Sequence, residues 1–100
     1  MKLSVMERIH LLSLLPKEGN LVTLKIVRNL QNDLGFSEKE NKETGLTINK
    51  DNRYEWKKDI QKEVDIGDTA KQVIKDMFEE LDKNKKLNMQ TLELYERFVL

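Results

Sequence analysis

The sequence contains no cysteine, which excludes disulfide bonds and thiolate metal sites. A chain without cysteine suits a reducing compartment, so we predict a cytoplasmic protein. It also contains a single proline and only four glycines, and no Ser/Gly-rich stretch indicates a linker. With 100 residues in total, the chain is predicted to form one helical domain over residues 1–100.

An excess of charge of one sign is also missing. Lys and Arg together number 18, Asp and Glu together number 18, and the formal net charge is zero. Proteins dedicated to duplex DNA usually have a clear positive excess, so duplex nucleic acid is not an expected partner. No apolar run approaches the roughly 20 residues that a membrane-spanning helix needs, so a membrane is not an expected partner either.

Common sequence motifs of catalysis are absent. The sequence has no Gly-rich phosphate-binding loop and no nucleophile elbow of the form G-x-S-x-G. His10 is the only histidine, and a lone histidine without cysteine is a poor basis for a zinc site. We therefore predict a non-enzymatic binding protein with no catalytic residue, no metal and no cofactor.

Residues 82–93 have the length of a calcium-binding EF-hand loop. Asp82, Asn84 and Glu93 occupy its first, third and twelfth positions. However, Lys86 stands where the loop needs an oxygen ligand, and the next residue is leucine where the loop needs glycine for its sharp turn. The sequence therefore predicts an ordinary polar turn between two helices.

Two S-x-x-E sequences have the spacing of a capping box, in which side chains and backbone N–H groups satisfy each other at a helix start. They are Ser4 with Glu7 and Ser37 with Glu40. Asn20 is a further candidate for an N-cap. Together these residues predict three helices, over residues 4–15, 21–34 and 37–43.

Apolar stripes predict which side of each helix faces the core. The clearest stripe, with charged residues off it, belongs to the fourth helix and consists of Ala70, Val73, Ile74, Met77, Phe78 and Leu81. In the second helix, Val22, Ile26 and Leu30 recur at a spacing of four and are expected to face inwards. A final helix over residues 88–99 is expected to include Leu92 in its buried face.

Between the third and fourth helices, two short runs of strand-forming residues flank a polar turn. They cover residues 46–48 and 54–56, and they predict a small β-hairpin near residues 46–57. Residues 57–66 fit an extended or weakly helical segment, and Asp68 is the expected N-cap of the fourth helix. The predicted fold class is therefore mainly α, a compact bundle of four or five helices with this small hairpin inserted.

The hairpin brings aromatic and basic residues side by side. Aromatic rings stack on bases, and Arg or Lys neutralises phosphate. The segment therefore predicts a binding site for a small nucleotide-type ligand, made of Arg53, Tyr54, Trp56, Lys57 and Lys58. Alternation along a strand puts Tyr54 and Trp56 on the face opposite Arg53 and Lys57. The alternative is that the two rings anchor the hairpin to the helical core, a common role of aromatic residues in small domains.

The first helix is apolar around more than one face, with Val5, Met6, Ile9, Leu11, Leu12, Leu14 and Leu15. A helix that is apolar nearly all round lies either at the centre of a protein or against another subunit. In so small a domain we predict a homo-oligomeric contact, with the second subunit completing the ligand pocket.

Three segments resemble a family of small uncharacterised phage and prophage proteins. They are LLSLLPKEGNLVTLK at residues 11–25, LGFSEKE at residues 34–40 and LYERFV at residues 94–99. The resemblance implies a viral gene product that acts inside an infected bacterial cell, and it implies no site residue. Small phage proteins of this size are often virion accessories or inhibitors of host defence.

Three functions follow as alternatives. The first is a counter-defence protein that sequesters a nucleotide-type immune signal. The second is a virion or assembly accessory protein that acts only through protein–protein contacts, with phage or host proteins. The third is a small hydrolase that acts on such a signal.

Overall fold

Residues 1–99, the part of the chain that the structure describes, form five helices and four short strands in this computed structural model. The helices are α1 (Val5–Leu14), α2 (Leu21–Leu34), α3 (Glu38–Thr44), α4 (Asp68–Lys83) and α5 (Met89–Phe98). The strands are β1 (Lys2–Leu3), β2 (Thr47–Ile48), β3 (Tyr54–Glu55) and β4 (Lys62–Glu63). The predicted fold class, mainly α with a small hairpin between α3 and α4, is confirmed. None of these helices is long and apolar enough to cross a membrane.

Local capping chemistry explains where the helices start. The hydroxyls of Ser4 and Ser37 accept hydrogen bonds from the backbone N–H groups of Glu7 and Glu40, each at 3.2 Å. The glutamate side chains in turn accept from the serine N–H groups, so both predicted capping boxes are confirmed. The predicted N-cap at Asp68 is wrong by one position, because Asp68 is already the first residue of α4. Its carboxylate still lies in the first turn, where the helix dipole favours negative charge.

The strands form two antiparallel pairs. β2 pairs with β3, with Ile48 opposite Tyr54, which is the predicted hairpin. β1 pairs with β4, with Leu3 opposite Lys62. The sequence did not predict this second pair, because strands of two residues are too short to show an alternating pattern. It gives the ambiguous segment before α4 an extended conformation.

One apolar cluster joins α1, α2, α4 and α5 to the ends of β1 and β4. Its buried members are Leu3, Leu11, Leu15, Val27, Leu30, Leu34, Val64, Ile66, Ile74, Met77, Phe78 and Leu94. The predicted stripe of α4 is confirmed, since Ile74, Met77 and Phe78 are its buried residues. Two predictions are wrong, because Val22 is 66% exposed on α2 and Leu92 is 37% exposed on α5.

The first turn of α2 contains apolar residues that no neighbouring helix covers. Leu21, Val22 and Leu24 all remain exposed. α2 contacts α1 and α4, and the side that it turns inwards contains Val27 and Leu30. Of the residues predicted to face inwards, Leu30 is buried and Ile26 packs against the core, and only Val22 is wrong. Spacing alone could not show that the neighbouring helices leave the first turn of α2 uncovered.

α1 uses most of its apolar surface inside the chain. Its buried residues are Val5, Arg8 and Leu11, and Leu15 follows just beyond its end. Within this helix, Met6 is the only large apolar residue that is exposed, at 49%. α1 therefore offers little exposed apolar surface to a second copy of the chain, and a homo-oligomer stays a prediction.

The largest fully buried side chain is a charged one, Arg8. Its Nε donates to the carbonyl of Leu34 at 3.0 Å, and its Nη2 donates to the carbonyl of Gly35. Its two terminal nitrogens also form a bidentate salt bridge with Glu40, at N···O distances of 2.7 and 3.2 Å. The guanidinium carbon lies 3.8 Å from the ring centroid of Phe36. Arg8 thus ties α1 to the end of α2 and to the start of α3.

We predict that Phe78→Ala strongly destabilises the protein. Phe78 is completely buried and packs against Tyr95 and Phe98, at ring-centroid distances of 6.1 and 6.2 Å. Deleting a buried phenylalanine side chain typically costs about 3–5 kcal/mol. Urea denaturation measures the free energy of unfolding, and Glu79→Ala, which truncates an exposed neighbour on the same helix, is the control. A loss of less than about 1 kcal/mol for Phe78→Ala contradicts the described core.

We also predict that the ion pair between Arg8 and Glu40 stabilises the fold less in acid. The hydrogen bonds from Arg8 lower the pKa of Glu40 from its ordinary 4.5 to about 2, although burial acts in the opposite direction. A lowered carboxyl pKa stabilises the folded state above pH 4.5, and this stabilisation is lost as the pH falls towards 2. Glu40→Gln should therefore lower the free energy of unfolding at pH 7, and the difference should shrink as the pH is lowered.

The control for this prediction is Glu38→Gln. It removes the same charge from an exposed position of the same helix without touching Arg8. Denaturation curves at several pH values compare the three proteins. A Glu40→Gln effect that is equal at all pH values, or equal to that of Glu38→Gln, rules out this account of the ion pair.

Candidate functional site

A cleft opens between α1, the β2–β3 hairpin and the start of α5. Its volume is about 590 Å³, inside the usual range of about 300–1,000 Å³ for small-molecule sites. Eight residues line it, namely Met6, Ile9, His10, Ser13, Arg53, Tyr54, Trp56 and Gln90. The structure thus brings together three of the five residues that the sequence predicts for ligand binding, Arg53, Tyr54 and Trp56.

Helical spacing explains which residues of α1 reach the cleft. Met6, Ile9, His10 and Ser13 follow the pattern i, i+3, i+4 and i+7, so they share one face of the helix. Arg8 lies about 200° around the helix from His10, which directs its side chain into the core. One side of α1 therefore lines the cleft while the other holds the buried ion pair.

The turn of the hairpin fixes the backbone of Arg53. The side-chain Oδ1 of Asn49 accepts from the N–H groups of Asp51 and Arg53, at 2.9 and 3.1 Å. Asn52 completes the turn with a φ of 62°, a left-handed conformation that asparagine adopts more readily than most residues. β3 begins only at Tyr54, so strand alternation does not fix the side of Arg53, and Arg53 lines the same cleft as the two aromatic rings.

Lys57 and Lys58 are not among the residues that line the cleft. Their backbone N–H groups donate to the carbonyl of Thr44 at the end of α3, at 2.7 and 3.1 Å. The aliphatic stem of Lys57 also lies against Gly45, whose φ of 67° is left-handed. The two lysines therefore attach the hairpin to α3 through their backbone, and a role of their side chains in ligand binding stays a prediction.

The two aromatic residues of the hairpin do not belong to the apolar core cluster. Tyr54 is 49% exposed, and Trp56 is half-buried. Tyr54 also borders a smaller cavity of about 180 Å³, together with Leu12 and Phe36. The backbone hydrogen bonds of Lys57 and Lys58 to Thr44 attach the hairpin to α3 independently of the two rings.

Sequence reasoning missed three polar residues of the cleft, His10, Ser13 and Gln90. The hydroxyl of Ser13 donates to the backbone carbonyl of His10 at 2.8 Å, which orients it on the helix surface. Polar residues at positions 10 and 13 interrupt the apolar surface of α1 on one face. This interruption is the sequence feature from which a polar site on α1 could have been predicted. Gln90 had no such signal, because only the tertiary fold brings the start of α5 to this cleft.

The charge of the cleft favours an anion. Among the described residues that line it, Arg53 is the only permanent cation and there is no Asp or Glu. His10 and Gln90 offer hydrogen-bond donors, and the two aromatic rings offer flat apolar faces. Elsewhere within residues 1–99, no three His, Asp or Glu side chains lie close enough together to hold a metal ion.

No family model, curated protein or solved structure matches the chain. The resemblance to phage and prophage proteins therefore stays a prediction.

We predict that Tyr54→Ala changes the free energy of unfolding by less than about 1 kcal/mol, because substitutions of exposed residues usually have small effects. Urea denaturation of Tyr54→Ala and of Phe78→Ala compares the free energy of unfolding lost at an aromatic residue of the cleft with that lost at an aromatic residue of the core. A loss of about 3 kcal/mol or more, the range typical of a buried aromatic side chain, favours the alternative that Tyr54 anchors the hairpin.

Proposed function

We propose that this protein binds a small anionic ligand with a flat aromatic ring, of the nucleotide type, in the cleft between α1, the hairpin and α5. The main support is one observation. Arg53, Tyr54 and Trp56 line the same cleft, and no carboxylate is among the described residues around it. A guanidinium pairs well with phosphate oxygens, and aromatic rings stack on any of the nucleic-acid bases.

The α1 side of the cleft supports the same ligand class. His10 can donate a hydrogen bond to phosphate or sugar oxygens, and the amide of Gln90 can both donate to and accept from the edge of a base. Met6 and Ile9 add apolar surface beside these groups. A mostly apolar pocket with a few convergent polar groups is the usual composition of a small-molecule site.

We propose binding without chemical conversion. Catalysis through His10 needs a nucleophile within reach of the imidazole and a third group that orients the ring. The hydroxyl of Ser13 donates to the backbone carbonyl of His10 instead, and the described lining contains no carboxylate that could orient an imidazole. These contacts favour retention of a ligand over its turnover.

Together with the resemblance to phage proteins, retention suggests a biological role. The protein would sequester a nucleotide-type immune signal inside an infected bacterial cell and thereby counter host defence. Such a role requires tight binding and release of the unchanged ligand on denaturation.

Trp56 provides a direct measurement of binding, because it is the only tryptophan and lines the cleft. We predict that a cyclic dinucleotide or an ADP-ribose derivative changes its fluorescence in a saturable way. Arg53→Ala should raise the Kd about tenfold or more, since hydrogen bonds to charged groups contribute about 1.5–3 kcal/mol. Its melting temperature should stay close to that of the parent, because exposed charges add little stability.

The matched control is Lys50→Ala, which removes an exposed charge from the turn of the same hairpin but outside the cleft. Calorimetry should give this control variant the same Kd as the parent protein. Chromatography of the ligand released from the denatured parent protein should show that the ligand is unchanged. Equal affinities of Arg53→Ala and the parent show that the site lies elsewhere. A cleaved product supports the hydrolase alternative, and no binding to any compound of this panel contradicts the nucleotide proposal.

A second candidate function is that of a virion or assembly accessory protein. The exposed first turn of α2 favours it, with Leu21 at 69% and Val22 at 66% exposure, because clustered apolar surface indicates a protein interface. Under this function the parent protein binds no small ligand but forms a stable complex with phage structural proteins, which co-purification from infected cells detects.

A further inference from the structure

A groove lies away from the cleft, where α1 ends, α2 begins and α4 passes by. Its volume is about 370 Å³. Leu14, Val73, Met77 and Leu81 give it an apolar lining. The residues that α4 contributes recur at three- and four-residue spacing, so the groove follows this helix for about two turns.

Three carboxylates line the same groove, those of Glu18, Asp76 and Glu80, and no Lys or Arg of the described chain does. The amide of Gln72 donates to Asp76 Oδ1 at 2.8 Å, and the amide of Asn84 donates to Glu80 Oε1 at 3.1 Å. These neutral partners leave the negative charges uncompensated. The salt bridges formed within residues 1–99 involve none of the three. The groove therefore favours a partner that is both apolar and positively charged.

The outer face of α2 has this complementary character. Leu21, Leu24, Lys25 and Arg28 follow the pattern i, i+3, i+4 and i+7 and share one face, which we call the α2 ridge. All four residues are exposed, with Leu21 at 69% and Leu24 at 39%. Neither Lys25 nor Arg28 takes part in a salt bridge within the described residues. The positive end of the helix dipole lies at the same turn as Leu21.

The groove and the α2 ridge meet at the first turn of α2, where Thr23 lines the groove and Leu21 and Leu24 on either side of it belong to the exposed ridge. We propose that two copies of the chain pair by placing the α2 ridge of each in the groove of the other. A two-fold dimer uses the same patch on both copies, so the patch has to contain both complementary halves. Here one continuous surface contains an apolar ridge with cations and an apolar groove with anions.

The two kinds of contact have different roles in this dimer. Transfer of Leu21 and Leu24 out of water supplies the favourable free energy, in proportion to the apolar area buried. Pairing of Lys25 and Arg28 with the groove carboxylates fixes the orientation and speeds association. This interface replaces the one that the sequence predicts on α1.

Sedimentation velocity of the full chain at micromolar concentration tests the dimer. We expect a species of twice the 11.8 kDa chain mass. Leu21→Glu combined with Leu24→Glu should raise the dimer Kd more than about tenfold without unfolding the chain, since both side chains are exposed in a single copy. Met89→Glu is the control, because Met89 is 80% exposed on α5 and should leave the dimer intact. A monomer at all concentrations, or a dimer that the paired leucine variant does not weaken, overturns the proposal.

A charge exchange tests the pairing of ridge and groove directly. Lys25→Glu with Arg28→Glu should weaken the dimer, and Asp76→Lys with Glu80→Lys should weaken it as well. All four substitutions together restore opposite charges across the interface and should restore dimerisation. Circular dichroism shows that each variant is folded. A folded fourfold variant that remains as monomeric as the two paired variants contradicts the proposed contact.

Discussion

The buried guanidinium of Arg8 determines how the first three helices join. An unpaired buried charge costs several kcal/mol. Arg8 can therefore be buried only in a packing arrangement that provides all of its hydrogen-bond partners. These are the carbonyls of Leu34 and Gly35 and the carboxylate of Glu40, and the ring of Phe36 covers the guanidinium. We infer that Arg8 contributes more to the specificity of this junction than to net stability, because other ways of packing α1 against α2 and α3 leave a charge without its hydrogen bonds.

The same contacts determine the shape of the cleft. Arg8 binds the side chain of Glu40. The backbone carbonyl of Glu40 accepts a hydrogen bond from the Thr44 hydroxyl at 2.8 Å, and the backbone carbonyl of Thr44 accepts from the N–H groups of Lys57 and Lys58. A continuous series of hydrogen bonds thus runs from α1 through α3 to the end of the hairpin. Because the cleft lies between the opposite face of α1 and this hairpin, one buried side chain positions both of its walls. Under the proposed function, this attachment of both walls lowers the entropy cost of ordering the cleft around a ligand.

Features that depend on neighbouring residues could be predicted from the sequence. The capping boxes at Ser4 and Ser37, the stripe of α4 and the hairpin are local, and so is the proximity of Arg53 to two aromatic residues. Arg8 could not be assigned, because its partners lie 26 to 32 residues away and an arginine in an apolar helix looks like a surface residue. His10 and Gln90 belong to distant helices and meet at the cleft only through tertiary packing. Val22 on α2 was assigned to the buried face for a related reason, since the neighbouring helices and not the spacing decide which apolar residues are covered.

The two proposed surfaces use different residues of one small domain. The cleft is lined by parts of α1, the hairpin and α5, while the groove is lined by the end of α1, the start of α2 and α4, and no residue is common to both. Ser13 borders the cleft and Leu14 borders the groove, so α1 is the element that the two surfaces share. Its orientation depends on Arg8. Loss of the Arg8 contacts therefore disturbs both surfaces at once, whereas substitutions at Arg53 or on the α2 ridge act on one surface and leave the other as it is.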